Sequence, residues 1–291
     1  MSRISKQEIL GDLKNLGIQK NDIIFVAADL LRTGYFNKSV DQTLVDWVDI
    51  FDELMGDEGT LIIPAYTNIF FRLAKNKKIV FGKDTPPNSG SLSKAFYKYG
   101  NCIRSSHPTS SCFGKGPMAE SILKNHDAYS SCYYPYGKII ELGGKNLLLA
   151  SVDRKNSPMA FHYAQEKLGH TLNHPYSKLF QTYYYDDNGD IKLFTRKDTG
   201  GCTAGVYKTW GHHISENACR FGLVGKGMSA YVDARMSFEI LTEILKTNPK
   251  LIKCDDRYCT SCYGRTVYNG FGVTTFYPRK IAKKLLESFQ S

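Results

Sequence analysis

His162, Gln165 and Glu166 stand together in the stretch NSPMAFHYAQEK, residues 156–167. Residues three and four apart share one face of a helix, so both neighbours would flank the imidazole. A histidine near neutral pKa accepts a proton from an amine or a thiol at physiological pH. A carboxylate on its other ring nitrogen would fix the tautomer and stabilise the imidazolium. Glu166 can supply that charge, whereas Gln165 can only orient the ring by hydrogen bonding. Taken alone, a histidine with a glutamate four residues on is also common on ordinary helix faces. A second group is Cys254, Cys259 and Cys262 in CDDRYCTSCYG. It has part of a zinc-ligand spacing, but no fourth ligand stands nearby in the sequence. Free thiols in a loop or strand are therefore expected, and no metal site is assigned.

The elements that must position these residues follow from periodicity and caps. Ser157 can cap the helix that carries His162, Pro158 suits its first position, and Gly169 can end it. This helix follows directly on KNLLLAS (145–151), a buried strand. Two more strands are DIIFVAAD (22–29) and GTLIIPAYT (59–67), nearly continuous apolar runs of the kind parallel sheets bury. Between them SVDQTLVDWVDIFDELMG (39–56) is amphipathic, with Ser39 as cap, Asp41 in its first turn and Gly56 past its end. Strand, helix and strand at this spacing make a βαβ unit. Helices are also expected over 5–16, 91–100, 237–248 and 278–289, the last a basic amphipathic one opened by Pro278. TYYYDDNGDIKLFTR (182–196) places alternating runs around Asn188-Gly189, a hairpin signal. The whole chain, 1–291, is expected to be one α/β domain with this antiparallel hairpin added in its second half. Ligands of open α/β sheets gather outside the carboxyl ends of the strands, which is where His162 would lie.

Composition narrows the function classes. The 291 residues are 42% hydrophobic and 23% charged, an ordinary globular balance. No apolar run approaches the length that spans a bilayer, and MSRISKQEIL lacks the apolar core of a secretory signal. A cytoplasmic protein with no membrane partner is expected, its eight cysteines reduced. The net charge of +10 favours anionic ligands. No nucleic-acid motif accompanies the spread lysines, so a phosphorylated small molecule is preferred to nucleic acid. The sequence does not decide whether the chain forms a homo-oligomer. Nineteen tyrosines offer stacking surfaces for a base or sugar ring.

Several segments in register resemble the aminoglycoside 3-N-acetyltransferase family. They are LGIQKNDIIFVAADLLRTG (16–34), GTLIIPAYT (59–67), FGKDTPPNSGSLSKAF (81–96), IRSSHPTSSCFGKG (103–116), YPYGKIIELGGKNLLLAS (134–151) and FHYAQE (161–166). ACRFGLVGKGMSAYVDAR (218–235) is similar to a later part of the family pattern. The resemblance implies a three-layer α/β/α sandwich and acetyl transfer from acetyl-coenzyme A to an amino group on a sugar. It implies His162 as general base, supported by a glutamate three residues later. This chain has Gln165 there, so Glu166 is the slightly favoured partner. The family typically shows His-Ser-Ser at the end of the first strand, where this chain has Ala27, Ala28 and Asp29. The resemblance therefore places backbone amides of Ala28, Asp29, Leu30 and Leu31 near the thioester, with Asp29 suited by charge to a cationic acceptor. In the retained RSSHPTS, Arg104 has the fork of donors that suits a phosphate. Ser105, Ser106, Thr109 and Ser110 offer hydroxyls, and His107 is implied near the cofactor. A covalent route through Cys112 is set aside, because no cysteine has an evident adjacent base. The basic charge favours a nucleotide-linked amino sugar for surface polysaccharide synthesis as acceptor. The alternatives are an aminoglycoside antibiotic, or a non-catalytic coenzyme A-binding relative, which the changes at Ala27, Ala28 and Gln165 would suit.

Overall fold

Three apolar strands sit side by side at the centre because their residues are apolar on both faces. In β1 (Ile23–Ala28), Ile24 and Val26 pack into one core while Phe25 packs into another. In β2 (Thr60–Pro64), Leu61 and Ile63 join the first core and Ile62 the second. This is the period of two that a sheet covered on both faces requires. A computed structural model describes residues 4–67, 70–71, 80–153, 156–171, 179–196 and 200–289.

The first core is closed by α1 (Lys6–Asn15), α2 (Val40–Met55) and α3 (Ser91–Tyr99), through Ile9, Leu13, Trp47, Phe51 and Phe96. Ser5 and Glu8 form a reciprocal capping box at the start of α1, and Ser39 caps α2. Two short strands follow in chain order, β3 (Phe70–Phe71) and β4 (Val80–Phe81). The main sheet continues through β5 (Ile103–Arg104), β6 (Cys112–Lys115) and β7 (Lys145–Leu149). The second core is built by α4 (Ala119–Leu123), α5 (Tyr134–Glu141) and α6 (Ala160–Lys167). Next come β8 (Phe180–Tyr185), β9 (Ile191–Thr195), α7 (Trp210–Ser215), β10 (Cys219–Val224) and β11 (Gly227–Asp233). Then α8 (Ala234–Thr247) covers the second core, followed by α9 (Thr260–Tyr263), α10 (Thr266–Asn269) and α11 (Val273–Phe289).

The seven-stranded sheet has the order β10-β11-β7-β1-β2-β6-β5. β1 is parallel to β2 and to β7; the remaining strand pairs of this sheet are antiparallel. Helices on both faces make the expected α/β/α sandwich. The hairpin at Asn188-Gly189 is present and pairs Tyr185 with Ile191. It belongs to a second, four-stranded sheet with β3 and β4.

Three helix starts differ from the sequence expectation. α8 begins at Ala234, three residues before the expected 237. Pro278 lies inside α11, which begins five residues earlier, at Val273. The helix that bears His162 starts at Ala160 with no side-chain cap, so Ser157 and Pro158 precede it. Both of those residues line the cleft described below instead. Among the described residues, no helix is long and apolar enough to cross a membrane.

Candidate active site

The carboxyl ends of the parallel strands leave an opening of about 620 Å³. Ala27 and Ala28 of β1, Pro64 of β2 and Ser151 after β7 form its floor. The first turn of α3 and the start of α6 form its walls, and His162 reaches in from the latter. The chain leaves β7 through Ala150, held left-handed at φ 50°. A non-glycine residue there carries strain, and the close approach of Gly227 fixes the turn: a Cβ on Gly227 would lie 2.2 Å from that of Ala150.

Asn146 joins the strand to the helix. Its side chain is buried, donates to Phe25 O at 3.0 Å and accepts from Met159 N–H at 2.8 Å. Since Met159 is the residue before α6, this one amide sets the height at which His162 enters the cleft.

His162 Nδ1 lies 2.9 Å from Gln165 Oε1. Gln165 is fully buried, and its Nε2 lies 2.6 Å from the Tyr268 hydroxyl. Gly201 N–H reaches the same Gln165 Oε1 at 3.2 Å. A backbone N–H can only donate, so the atom it meets must be the amide oxygen. That oxygen must then accept from His162 as well, which places the ring proton on Nδ1. Nε2 is left as the lone-pair nitrogen. The Tyr133 ring stacks on the imidazole, with centroids 5.6 Å apart. Burial pushes the His162 pKa below its ordinary value, opposed by the Gln165 hydrogen bond, so the ring is neutral at pH 7.

The expected partnership of His162 with Glu166 is not formed. Glu166 instead accepts a short hydrogen bond from Ser131 Oγ. The backbone sets this outcome: position 165 faces the interior beside Tyr268, whereas position 166 is half-buried at the edge toward Ser131.

Substituting Gln165→Glu replaces a neutral acceptor by a carboxylate at the same oxygen. An opposite charge at that distance stabilises the imidazolium and raises the His162 pKa by about one unit or more. For the native chain the acid limb of kcat/KM is expected below pH 6.5, where the lowered imidazole takes up its proton. In Gln165→Glu the limb moves to higher pH. A pH–rate profile checks both, and a limb that stays in place removes Gln165 from contact with the base.

Of the residues placed by resemblance near the cofactor, Ala28, Asp29, Leu30 and Leu31 do line the cleft. Asp29 N–H is used in the sheet, donating to Leu149 O at 2.9 Å. The N–H groups of Leu30 and Leu31, first in a 3-10 turn (Leu30–Thr33), donate to no acceptor among the described residues. The Asp29 carboxylate pairs with Arg32 at 3.1 Å, and Arg32 also meets Asp153 at 2.8 Å.

The RSSHPTS segment is corrected. Arg104 does not face the cleft. It is buried between the rings of Phe81 and Phe113 and spends four of its donors on Lys83 O, Thr85 O, Ala65 O and Ser111 Oγ. Its fork of donors matches carbonyls as well as phosphates, and burial lowers its pKa to about 10, so it stays charged. Ser105 accepts from Cys112 N–H at 2.8 Å and meets His126 Nδ1 at 3.0 Å. His107 is buried, accepts from Ser110 N–H at 3.0 Å and stacks on His126. Burial holds its pKa near 3, so it is a neutral packing residue. Ser106, Thr109 and Ser110 are likewise outside the cleft lining. Cys112 is buried and its thiol is pushed up to about 12, which suits no nucleophile.

Three features of the site were not read from the sequence. The first turn of α3 faces the cleft with Ser89, Gly90 and Ser91, and Gly90 is its cap at φ 103°. A serine-glycine-serine run before a helix is the signal that marks it. The hydroxyls of Tyr66 and Tyr136 meet at 2.6 Å in the cleft wall. Gly201 and Tyr268 support Gln165 from far along the chain, and no local spacing points to them. The cysteine group is also corrected: Cys202 brings a fourth sulfur beside Cys254, Cys259 and Cys262.

Comparison with known proteins identifies the family. The family model for aminoglycoside 3-N-acetyltransferase matches residues 25–246. Aminoglycoside N(3)-acetyltransferase III from Salmonella sp. is 25% identical over 267 residues, covering 79% of this chain and 87% of that protein. A solved structure described as AAC-IIIb binary with CoASH has TM-score 0.66 at 19% identity, covering 84% of this chain and 97% of the other. One described as AAC-VIa bound to sisomicin has TM-score 0.67 at 20% identity, covering 84% and 98%. The chain belongs to the aminoglycoside 3-N-acetyltransferase family and is an acetyl-coenzyme A-dependent N-acetyltransferase.

Proposed function

We propose that this enzyme acetylates an amino group of an aminoglycoside by direct transfer, with His162 as the base. The observation that carries this reading is the fixed tautomer of His162, which leaves Nε2 unprotonated on a cleft-lining ring. An amine is cationic at neutral pH, so it must lose a proton before it attacks. Nε2 takes that proton, directly or through water. The amine nitrogen then bonds to the thioester carbon and the carbon–sulfur bond breaks. The second amine proton goes to the departing sulfur, so that coenzyme A leaves as its thiol, and the proton on Nε2 passes to solvent. The free N–H groups of Leu30 and Leu31 are suited to the oxyanion that forms in between.

The coenzyme A phosphates find their best fit at α3. The N–H groups of Ser91, Leu92 and Ser93 donate to no acceptor among the described residues, and the helix dipole favours an anion there. Ser91→Glu tests the placement. A carboxylate in a first helical turn does not destabilise the helix. It should nevertheless raise KM for acetyl-coenzyme A about tenfold or more, a loss of about 1.4 kcal/mol. An unchanged KM would move the phosphates elsewhere.

The acceptor follows from local rather than net charge. Among the described residues lining the cleft, none is lysine or arginine, and Asp29 is the single carboxylate. The overall charge of +10 is thus not carried by the cleft lining, although Arg32 pairs with Asp29 and Arg196 acts on His162 from nearby. The family's relatives include a protein described as bound to sisomicin. The nucleotide-linked amino sugar rests on net charge and is the second reading. Thiol release from acetyl-coenzyme A, followed with aminoglycosides and nucleotide-linked amino sugars side by side, separates the two. Release with the nucleotide sugars alone would overturn the first, and release with neither would favour a binding protein that has lost the chemistry.

A further inference from the structure

Four cysteines from distant parts of the chain meet beside the supports of Gln165. The Sγ atoms of Cys202, Cys254, Cys259 and Cys262 all lie within 4.8 Å of one another. A tetrahedral zinc with bonds of about 2.3 Å holds its sulfurs about 3.8 Å apart, so a small inward movement suffices. Cys254 and Cys262 are buried and the other two half-buried. Four unlinked thiols seldom share so small a volume without a bond or a metal to organise them.

The backbone around the sulfurs is arranged for negative charge. Ala204 N–H points at Cys202 Sγ and Cys254 N–H at Cys262 Sγ, each at 3.4 Å. Such N–H donors stabilise thiolates, as partners of metal ligands do. Lys208 and Lys253 stand close by: Lys208 Nζ binds Lys253 O at 2.6 Å. Lys208 is paired with Asp255 at 3.2 Å, so it is Lys253, next to Cys254 in the chain, whose charge offsets part of the excess negative charge of a metal held by four thiolates.

The segment has little regular secondary structure of its own, although Ile252 and Tyr268 tie it to the second core. Among the described residues from 251 to 272, α9 and α10 have four residues each. Helices this short do not hold themselves together. Small loop-rich segments are commonly pinned by a structural metal.

We propose that Cys202, Cys254, Cys259 and Cys262 bind one structural zinc ion as thiolates. On binding, the thiol protons are released to solvent and four zinc–sulfur bonds form. The ion joins the 200–205 loop to the 252–264 segment. Gly201 precedes one ligand and Tyr268 follows another by six residues, so both partners of Gln165 hang from the same anchor.

The test is metal content of the full chain, expressed with zinc and purified without chelator. Elemental analysis should give one zinc per chain. A mercurial thiol reagent should release it, read with a colorimetric zinc indicator. Cobalt put in its place should show the intense sulfur-to-metal absorption of a tetrahedral thiolate site. Cys202→Ser and Cys259→Ser should each lower zinc retention at least tenfold. Zinc at trace levels in the native chain would overturn the proposal. So would a mass lighter by two hydrogens per cysteine pair, which means disulfides, or iron as the bound metal. If a serine variant does not fold, the native chain's metal content, mass and cobalt spectrum still decide.

Discussion

His162→Ala lowers turnover on the order of a hundredfold or more, because a positioned base contributes at least that factor. The lost group is specific: an imidazole whose Nδ1 proton is committed to Gln165, so that Nε2 faces its task in one protonation state. Acetyl-coenzyme A binding should change little, since the first turn of α3, proposed for the phosphates, and the strand ends are untouched. The pH profile should change in kind as well as height. With no base in the cleft, the remaining rate should climb with pH until the acceptor amine loses its own proton. Turnover equal to that of the native enzyme would remove His162 from the chemistry. A large rise in KM for acetyl-coenzyme A at constant kcat would recast it as a binding residue.

Asn146→Ala has the largest expected effect on stability. The side chain is buried and bonded at both ends, to Phe25 O and Met159 N–H. Removing it leaves the Met159 amide unpaired in the interior and takes one donor from Phe25 O, at a cost of about 1–3 kcal/mol. Urea unfolding measures this directly. Asn146→Asp refines the test, since it retains an acceptor for Met159 and loses the donor to Phe25. A loss below about 1 kcal/mol in Asn146→Ala would mean that other groups take over both bonds. Because Met159 immediately precedes the helix of His162, residual activity at low temperature should fall even where the protein is folded.

Most of the frame was legible in the chain. Ile24, Phe25 and Val26, or Leu61, Ile62 and Ile63, are apolar without a break, and only a sheet covered on both faces uses such runs. Ser39 and Gly56 bracket α2 to within a residue. The failures share a physical cause, which is that chemistry-bearing groups are general-purpose. Arg104 looks like a phosphate ligand because its fork binds planar oxygens, and here carbonyls occupy it. His107 looks reactive until burial makes it neutral packing. Ser157 and Pro158 have helix-start chemistry but serve the cleft wall. Which of Gln165 and Glu166 would meet His162 depends on Tyr268 and Gly201, far away in sequence. The same distance hid Cys202 from the other cysteines.

The location of Tyr268 has a practical consequence. The family match ends at residue 246, yet this hydroxyl, beyond it, meets the amide that steers the imidazole. On the proposed mechanism the tail is therefore part of the working machinery, and grafting a relative's tail onto this core would transplant or scramble the aim of the imidazole. Removing the chain beyond residue 264 should lower acetylation sharply while the nucleotide end of the cofactor still docks.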